Sequence, residues 1–268
     1  MMGALLLRGM LVGVLAGMLA FGFAKLFGEP QVERAIAFET QMDAAKSAGA
    51  MSQAQFGMPA DTDMSKGMTN AEAAAPELVS RATQSGIGLL TGVVTYSTAF
   101  GGLFALVFGL VYGRVGSLGP RATAAMLAAA GFVAVTIVPS LKYPANPPSI
   151  GLPETIGART GLFFAMIVIS IAAMSLAVAL RQRLAARSGG WNATLAGGAL
   201  FVGLVVAAQL ALPPLNEVPE NFPATVLWNF RLASIGIQAV LWTTLALAFG
   251  PLAEAALGEG RGQAQPRA

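Results

Sequence analysis

The chain has no cysteine and no histidine in 268 residues, and only 11% of them are charged. Without cysteine there are no disulfides and no thiolate metal sites. Without histidine there is no Ser-His triad, no histidine-ligated haem and no imidazole switch near neutral pH. Any chemistry rests on carboxylates, amides, hydroxyls, thioethers, lysine or arginine. No G-x-x-x-x-G-K-[ST] run is present, which argues against an ATPase. A basic nucleic-acid face is also missing.

What is abundant is apolar. Hydrophobic residues make up 55% of the chain, and its mean hydropathy is +0.67. Soluble domains carry about 25% charged residues. This chain cannot cover itself with polar surface, so the lipid bilayer is its solvent. The 32 glycines suit close helix packing in a bilayer.

A membrane-crossing helix needs about 20 apolar residues. Six segments qualify, at about 5–27, 84–112, 122–141, 161–180, 193–212 and 224–249. The expected fold is an all-α integral membrane protein of about six transmembrane helices in three hairpins, forming one polytopic unit. The first segment could instead be a secretory signal, because Arg8 precedes an apolar run, although that run is long for a signal core.

Charge alternates along the connections. Arg114 and Arg121 flank the second, and Arg181, Arg183 and Arg187 fill the fourth, both without an acid. Acids gather in the first, third and fifth. The positive-inside rule then puts both termini in the cytoplasm and the acidic connections outside. The first outer loop, 28–83, is expected to be partly disordered, with an amphipathic helix over 30–46 and a mobile stretch from Ser47. The tail 258–268 is expected to be disordered.

Two outer connections share a pattern. Pro139-Ser140-Leu141-Lys142-Tyr143-Pro144-Ala145-Asn146-Pro147-Pro148 and Pro213-Pro214-Leu215-Asn216-Glu217-Val218-Pro219-Glu220-Asn221-Phe222-Pro223 both read P-x-L, then Pro, Asn and Pro. In each hairpin the returning helix follows a proline and carries an arginine: Pro76 with Arg81, Pro153 with Arg159, Pro223 with Arg231. The last two hairpins can be read as an internal repeat, and repeated membrane units often place a substrate site at their interface.

Proline fixes φ, so these loops hold their carboxylates and carbonyls at small entropic cost. Glu217, Glu220, Asn216 and Glu154 are candidate oxygen ligands for a divalent cation, weak ones. The same acids and Asn221 could simply cap the entrance of the last helix. Lys142 and Tyr143 read as interface anchors, with Asn146 beside them in the loop. Arg231 lies inside the last span, where an unpaired charge is costly. It is expected to pair with one of the outer acids as a structural ion pair, with Arg159 in the same role. Trp228 and Trp242 read as interface or packing residues. Met58, Met64 and Met68 offer thioethers for a soft metal in the first loop, beside Asp61 and Asp63. Arg231 is almost the sole ionisable residue within the spans, which favours a passive conduit or a scaffold over proton coupling.

The segments VPSLKYPANPPSIGLPETIGART (138–160) and LPPLNEVPENFPATVLWNFRLASIG (212–236), with the Gly9–Gly13–Gly17 run of the first helix, resemble the CbtA family of predicted cobalt transporter subunits. The resemblance runs close to full length. It implies a bacterial inner-membrane protein that takes part in cobalt uptake for cobalamin supply, with a small single-span, histidine-rich partner, CbtB. It implies no enzymatic activity and no tightly bound cofactor, with Co²⁺ as the transported ion. Family members are often described with five predicted spans, against the six counted above. The absence of histidine sets this chain apart. Its own site would be a weak oxygen-ligand one, and the partner would supply imidazoles. The expected function is the membrane subunit of a cobalt uptake system whose outer proline loops form the ion entrance or partner-docking surface. The alternative is a structural scaffold for the histidine-rich partner that binds no metal itself.

Overall fold

Good helix formers dominate the chain from its start, and its helices run well past the apolar segments. The computed structural model describes residues 2–55, 79–148, 150–151 and 153–263. Among these there are no strands. Helix α1, Met2–Phe23, passes through a π-helical turn, Ala24–Gly28, into α2, Glu29–Gln55. Helix α3 spans Arg81–Val111, α4 Pro120–Lys142 and α5 Ile156–Ala211. Helix α6, Ala224–Thr244, continues through a second π-helical turn, Leu245–Phe249, into α7, Gly250–Gln263.

Local chemistry sets several boundaries. Ser80 caps α3 by accepting from the Thr83 amide at 3.4 Å. Gly113 and Gly116, at φ 76° and 77°, turn the chain after α3 where a side chain would be strained. Pro120 then opens α4 at its first turn.

Among the described residues five helices are long and apolar enough to cross a membrane. The fourth, α5, doubles back. A straight helix of its 56 residues would be about 84 Å long. Yet Lys142 donates to Gln209 O near its end, and Arg159 near its start holds Glu217. The eight residues from 209 to 217 reach about 28 Å at most. The break is Gly189, at φ 74° and ψ 158°. Across it, Arg181 Nε donates to Thr194 Oγ1 at 3.0 Å, and a Cβ on Gly197 would lie 2.8 Å from Ala177 O. The segments expected at 161–180 and 193–212 are therefore the two limbs of α5.

The amphipathic helix expected over 30–46 lies within α2, and the stretch expected to be mobile from Ser47 is instead helical through Gln55. Alanine, glutamine, glutamate and methionine crowd this segment and favour helix. Its inner face is fixed by tertiary packing, with Ala35 and Phe38 against Ile150 and Phe222. The tail expected from Gly258 is helical through Gln263. Residues 264–268, Met58, Met64, Met68, Asp61 and Asp63 lie outside the described residues.

Besides the Ala35–Ile150–Phe222 cluster, the described residues form two more apolar clusters. Leu5, Val12 and Ala16 of α1 join Phe104 and Phe108 of α3, Ala124 and Ala128 of α4, and Leu241, Trp242 and Phe249 near the chain's end. Trp242 packs edge-on against Phe100 at 5.0 Å and donates from Nε1 to Thr136 Oγ1 at 3.2 Å, so it is a packing residue. A smaller cluster of Val138, Tyr143, Met166 and Val205 joins α4 to both limbs of α5. Outside, large apolar side chains face out along α1, α3, both limbs of α5 and the last span, Leu7, Leu103, Phe164, Val202 and Leu247 among them, with Leu210 82% exposed. Water would not tolerate such a belt on a monomer; lipid does.

The glycine run of α1 makes its closest helix contact. A Cβ on Gly13 would lie 2.8 Å from Thr98 Cα, and one on Gly17 2.8 Å from Val94 Cα, both in α3. Backbones this close are the small-residue packing of membrane helices. Gly13→Leu should cost at least about 3 kcal/mol, the upper end for overpacking. A thermal scan of the purified protein should show its midpoint falling. Gly92→Leu, with nothing within 4 Å of its Cβ position, should leave the midpoint unchanged or slightly raised.

Candidate functional site between the two proline loops

The loop after α4 and the loop after α5 emerge at the same end of the bundle and are stitched together there. Prolines at 144, 147 and 148 in one, and at 213, 214, 219 and 223 in the other, keep both out of helix and strand ladders. Lys142 Nζ donates to Gln209 O. Gln209 Nε2 returns a bond to Val138 O at 3.2 Å. Tyr143 Oη donates to Pro213 O at 2.8 Å. Burial pushes the Tyr143 phenol above its ordinary pKa, so it stays a neutral donor. Lys142 and Tyr143 thus brace the two loops.

Two arginines complete the join, each crossing to the other hairpin. Arg159, in the first turn of α5 after the first proline loop, donates from Nη1 to Glu217 Oε2 in the second loop at 2.5 Å. Arg231, two turns into α6 after the second loop, donates from Nη2 to Asn146 Oδ1 at 3.0 Å and from Nε to Ala145 O at 3.3 Å, in the first loop. The exchange is reciprocal.

The Arg159–Glu217 pair is partly withdrawn from water: the carboxylate side chain is 4% exposed and the guanidinium side chain 30%. Gly151, at φ 128°, makes room for it. A Cβ there would lie 2.7 Å from Arg159 Nη1 and 3.2 Å from Glu217 Oε2. A cavity of about 30 Å³ lies within this knot, lined by Tyr143, Asn146, Arg159, Asn216, Glu217 and Arg231 among others. A polar cavity of that volume is roomy enough to hold water. Glu217 Oε1 is buried and has no hydrogen-bond partner among the described residues. Two guanidiniums and one carboxylate leave the knot one positive charge in excess.

The arrangement differs from the expected one at Arg231. It meets an amide and a backbone carbonyl and makes no ion pair among the described residues, because Arg159 has taken Glu217. Carbonyl oxygens are an accepted alternative for a charge at membrane depth. The expected metal ligands are not gathered. Glu217 is held by Arg159, and Asn216 Oδ1 accepts from the Val218 amide at 3.4 Å. Glu154, Glu220 and Asn221 are exposed. Among the described residues no three of His, Cys, Asp and Glu are grouped to hold a metal ion.

A third arginine at the same end closes its own hairpin. Arg81 Nη2 donates to the buried Glu29 Oε2 at 2.5 Å, and Lys25 Nζ donates nearby to Ser85 O at 3.1 Å. Helix α2 then covers the second proline loop, with Phe38 edge-on to Phe222 at 5.2 Å. The arginine-after-proline pattern marked all three helices in the sequence. The partner acid Glu29 and the positive-φ Gly151 carried no such mark.

The family model described as "Probable cobalt transporter subunit (CbtA)" matches residues 2–254. The chain belongs to the CbtA family. No curated protein and no solved structure matches it. Both proline loops, both cross-loop arginines and Glu29–Arg81 lie within the CbtA match. The family's description and the membrane-length helices together make this a multi-pass membrane protein.

Glu217→Gln leaves Arg159 half out of water without its counter-charge, which should cost about 3 kcal/mol, the low end for a broken buried pair. Glu220→Gln removes an exposed charge and should stay within about 0.5 kcal/mol of the parent. Thermal midpoints of the two purified variants measure the difference.

Proposed function

We propose that this chain is the membrane subunit of a cobalt uptake system and that its two proline loops form the outward entrance for the ion. The observation that carries this reading is the convergence of both loops, from different hairpins, on one polar cavity at one end of the bundle. Family membership supplies the substrate class. In this reading the two limbs of α5 count separately, giving six crossings of the bacterial inner membrane.

The orientation follows from charge. Arg8 donates to Leu252 O at 2.7 Å, Arg121 to Glu254 at 2.5 Å, and Gln182 to Arg114 O at 3.0 Å. These contacts gather Arg8, Arg114, Arg121 and Arg181 at the end opposite the proline loops. The positive-inside rule makes that end cytoplasmic, with both termini. The exposed outer acids, Glu154 and Glu220, then act as a rim that draws cations toward the loops by long-range attraction.

A second reading has its own support. Arg159 neutralises Glu217, and Arg231 adds a further positive charge beside it. A divalent cation would not settle in that knot as it stands. On this reading the chain is a scaffold that presents its outer face to a small histidine-rich subunit, and the partner supplies the ligands.

Uptake of radioactive Co²⁺ by cells expressing the protein with its partner subunit separates the two. If the loops are the entrance, Glu154→Gln with Glu220→Gln lowers the initial rate, most strongly at low ionic strength, at unchanged abundance in the membrane. An unchanged rate in a well-expressed double variant supports the scaffold. Orientation is read directly in this cysteine-free chain. A cysteine at Glu220 should label in intact cells, and one at Ser188 only after permeabilisation.

A further inference from the structure

We propose that the end of the bundle opposite the proline loops holds the headgroup phosphate of an anionic phospholipid between Arg114 and Arg183, with Arg187 beside them and a lipid chain lying along α3. The inference rests on the membrane assignment alone and does not depend on which ion the protein carries.

Charge without counter-charge is the first observation. The connection after α3 and the turn of α5 carry Arg114, Arg121, Arg181, Arg183 and Arg187 and no acid. The structure brings the two together, with Gln182 Nε2 donating to Arg114 O at 3.0 Å. Arg121 is held by Glu254, and Arg181 donates to Thr194 Oγ1. Arg114 turns back and donates to a neutral acceptor, Leu110 O, in the last turn of α3. Arg183 and Arg187 are exposed and make no hydrogen bond or ion pair among the described residues. Four residues apart, they share one face of α5. Arg183 directly follows Gln182, which sets it beside Arg114. Membrane sidedness accounts for arginines at this end of each hairpin. It does not require two connections from different hairpins to meet with no acid between them. Like charges so gathered repel, and an anion between them relieves that.

The apolar surface below Arg114 makes that anion a lipid. Leu103, Leu106 and Leu110 are exposed, and their spacing of three and four puts them on one face of α3. The strip runs to the end of the helix. The bond from Arg114 to Leu110 O sets the guanidinium over that end. An acyl chain laid along these leucines brings its phosphate to Arg114. Trp191, exposed just past the break at Gly189, suits the headgroup level of a bilayer. A free inorganic anion would use the arginines and leave the leucines without a role. The planar guanidinium fork fits phosphate oxygens, and basic sites between membrane helices take anionic headgroups.

The test titrates phosphatidylglycerol or phosphatidylcholine of the same chains into micelles of the purified full-length protein. Native mass spectrometry reads the fraction carrying one lipid. The parent should bind phosphatidylglycerol more tightly than phosphatidylcholine. Arg114→Gln with Arg183→Gln should weaken phosphatidylglycerol about thirtyfold, at about fivefold for each arginine. Arg34→Gln with Lys46→Gln removes the same net charge from exposed positions of α2 and should leave the affinity unchanged. Equal weakening by both double variants would show a response to net charge alone and overturn the site. Weakening by neither, or a parent without preference for phosphatidylglycerol, overturns it too. Inorganic phosphate should displace the lipid no better than sodium chloride at equal ionic strength. Better displacement would make the occupant a free anion and overturn the lipid assignment. If the first double variant does not yield folded protein, Arg183→Gln alone decides, with about fivefold weakening expected and none overturning the site. Cobalt uptake does not enter this assay, so its failure leaves the substrate reading standing.

Discussion

A pair of arginines, each reaching from its own hairpin into the proline loop of the other, is the constraint on which the outer half of this protein depends. A two-helix hairpin in a bilayer has no hydrophobic drive to find its neighbour, because lipid is as apolar as leucine. Close packing and polar contacts must supply the specificity. At the inner core, glycine and aromatic packing does so between α1, α3 and the chain's last helices. At the outer end it is done by Arg159 on Glu217, Arg231 on Asn146 and Arg81 on Glu29. Each arginine sits near the start of a returning helix; Arg159 and Arg231 reach into the loop of the other hairpin, and Arg81 closes its own hairpin onto Glu29.

The same contacts frame the question of function. The knot gathers Glu217 with two arginines, neutralises that carboxylate on Arg159 and leaves positive charge in excess. A resting high-affinity cation site is not built that way. An entrance that must stay shut to most ions, or a face kept in shape for a partner, is compatible with it. Conduction in any case requires weak holding and ready release. Membership of the CbtA family over residues 2–254 gives the cobalt class; the entrance proposed at the proline loops rests on their convergence at one end of the bundle.

Much of this was legible in the sequence for a physical reason. Lipid imposes long apolar runs and helices on any spanning chain, so the all-α class and the spans follow from composition and window length. The turn of α5 falls at Gly189, inside the arginine-bearing connection read between 161–180 and 193–212; what the sequence hid is that helix continues up to the break on both sides, because helix formers crowd it. The extension of α1 into α2 was partly visible: its start reads as an amphipathic helix, but its docking depends on Phe38 meeting Phe222, a contact between residues far apart in the chain. At the site, the proline loops and the three arginines stood out because prolines and buried charges are rare and costly in membranes. Their pairing did not. Composition marks Arg231 as needing a partner but cannot say that Arg159 reaches Glu217 first, which leaves Arg231 with Asn146. Gly151 is one glycine among 32, and only its positive φ beside the ion pair gives it a role.

The central claim is that the two cross-loop contacts form one unit rather than two independent fasteners. A double-mutant cycle tests it, with Arg159→Gln and Asn146→Ala made singly and together and the unfolding free energy of each purified protein measured. If the loops act as one unit, the double variant departs from the sum of the singles by about 1 kcal/mol or more. Additivity to within about 0.5 kcal/mol would mean that the loops are held separately and would contradict the account.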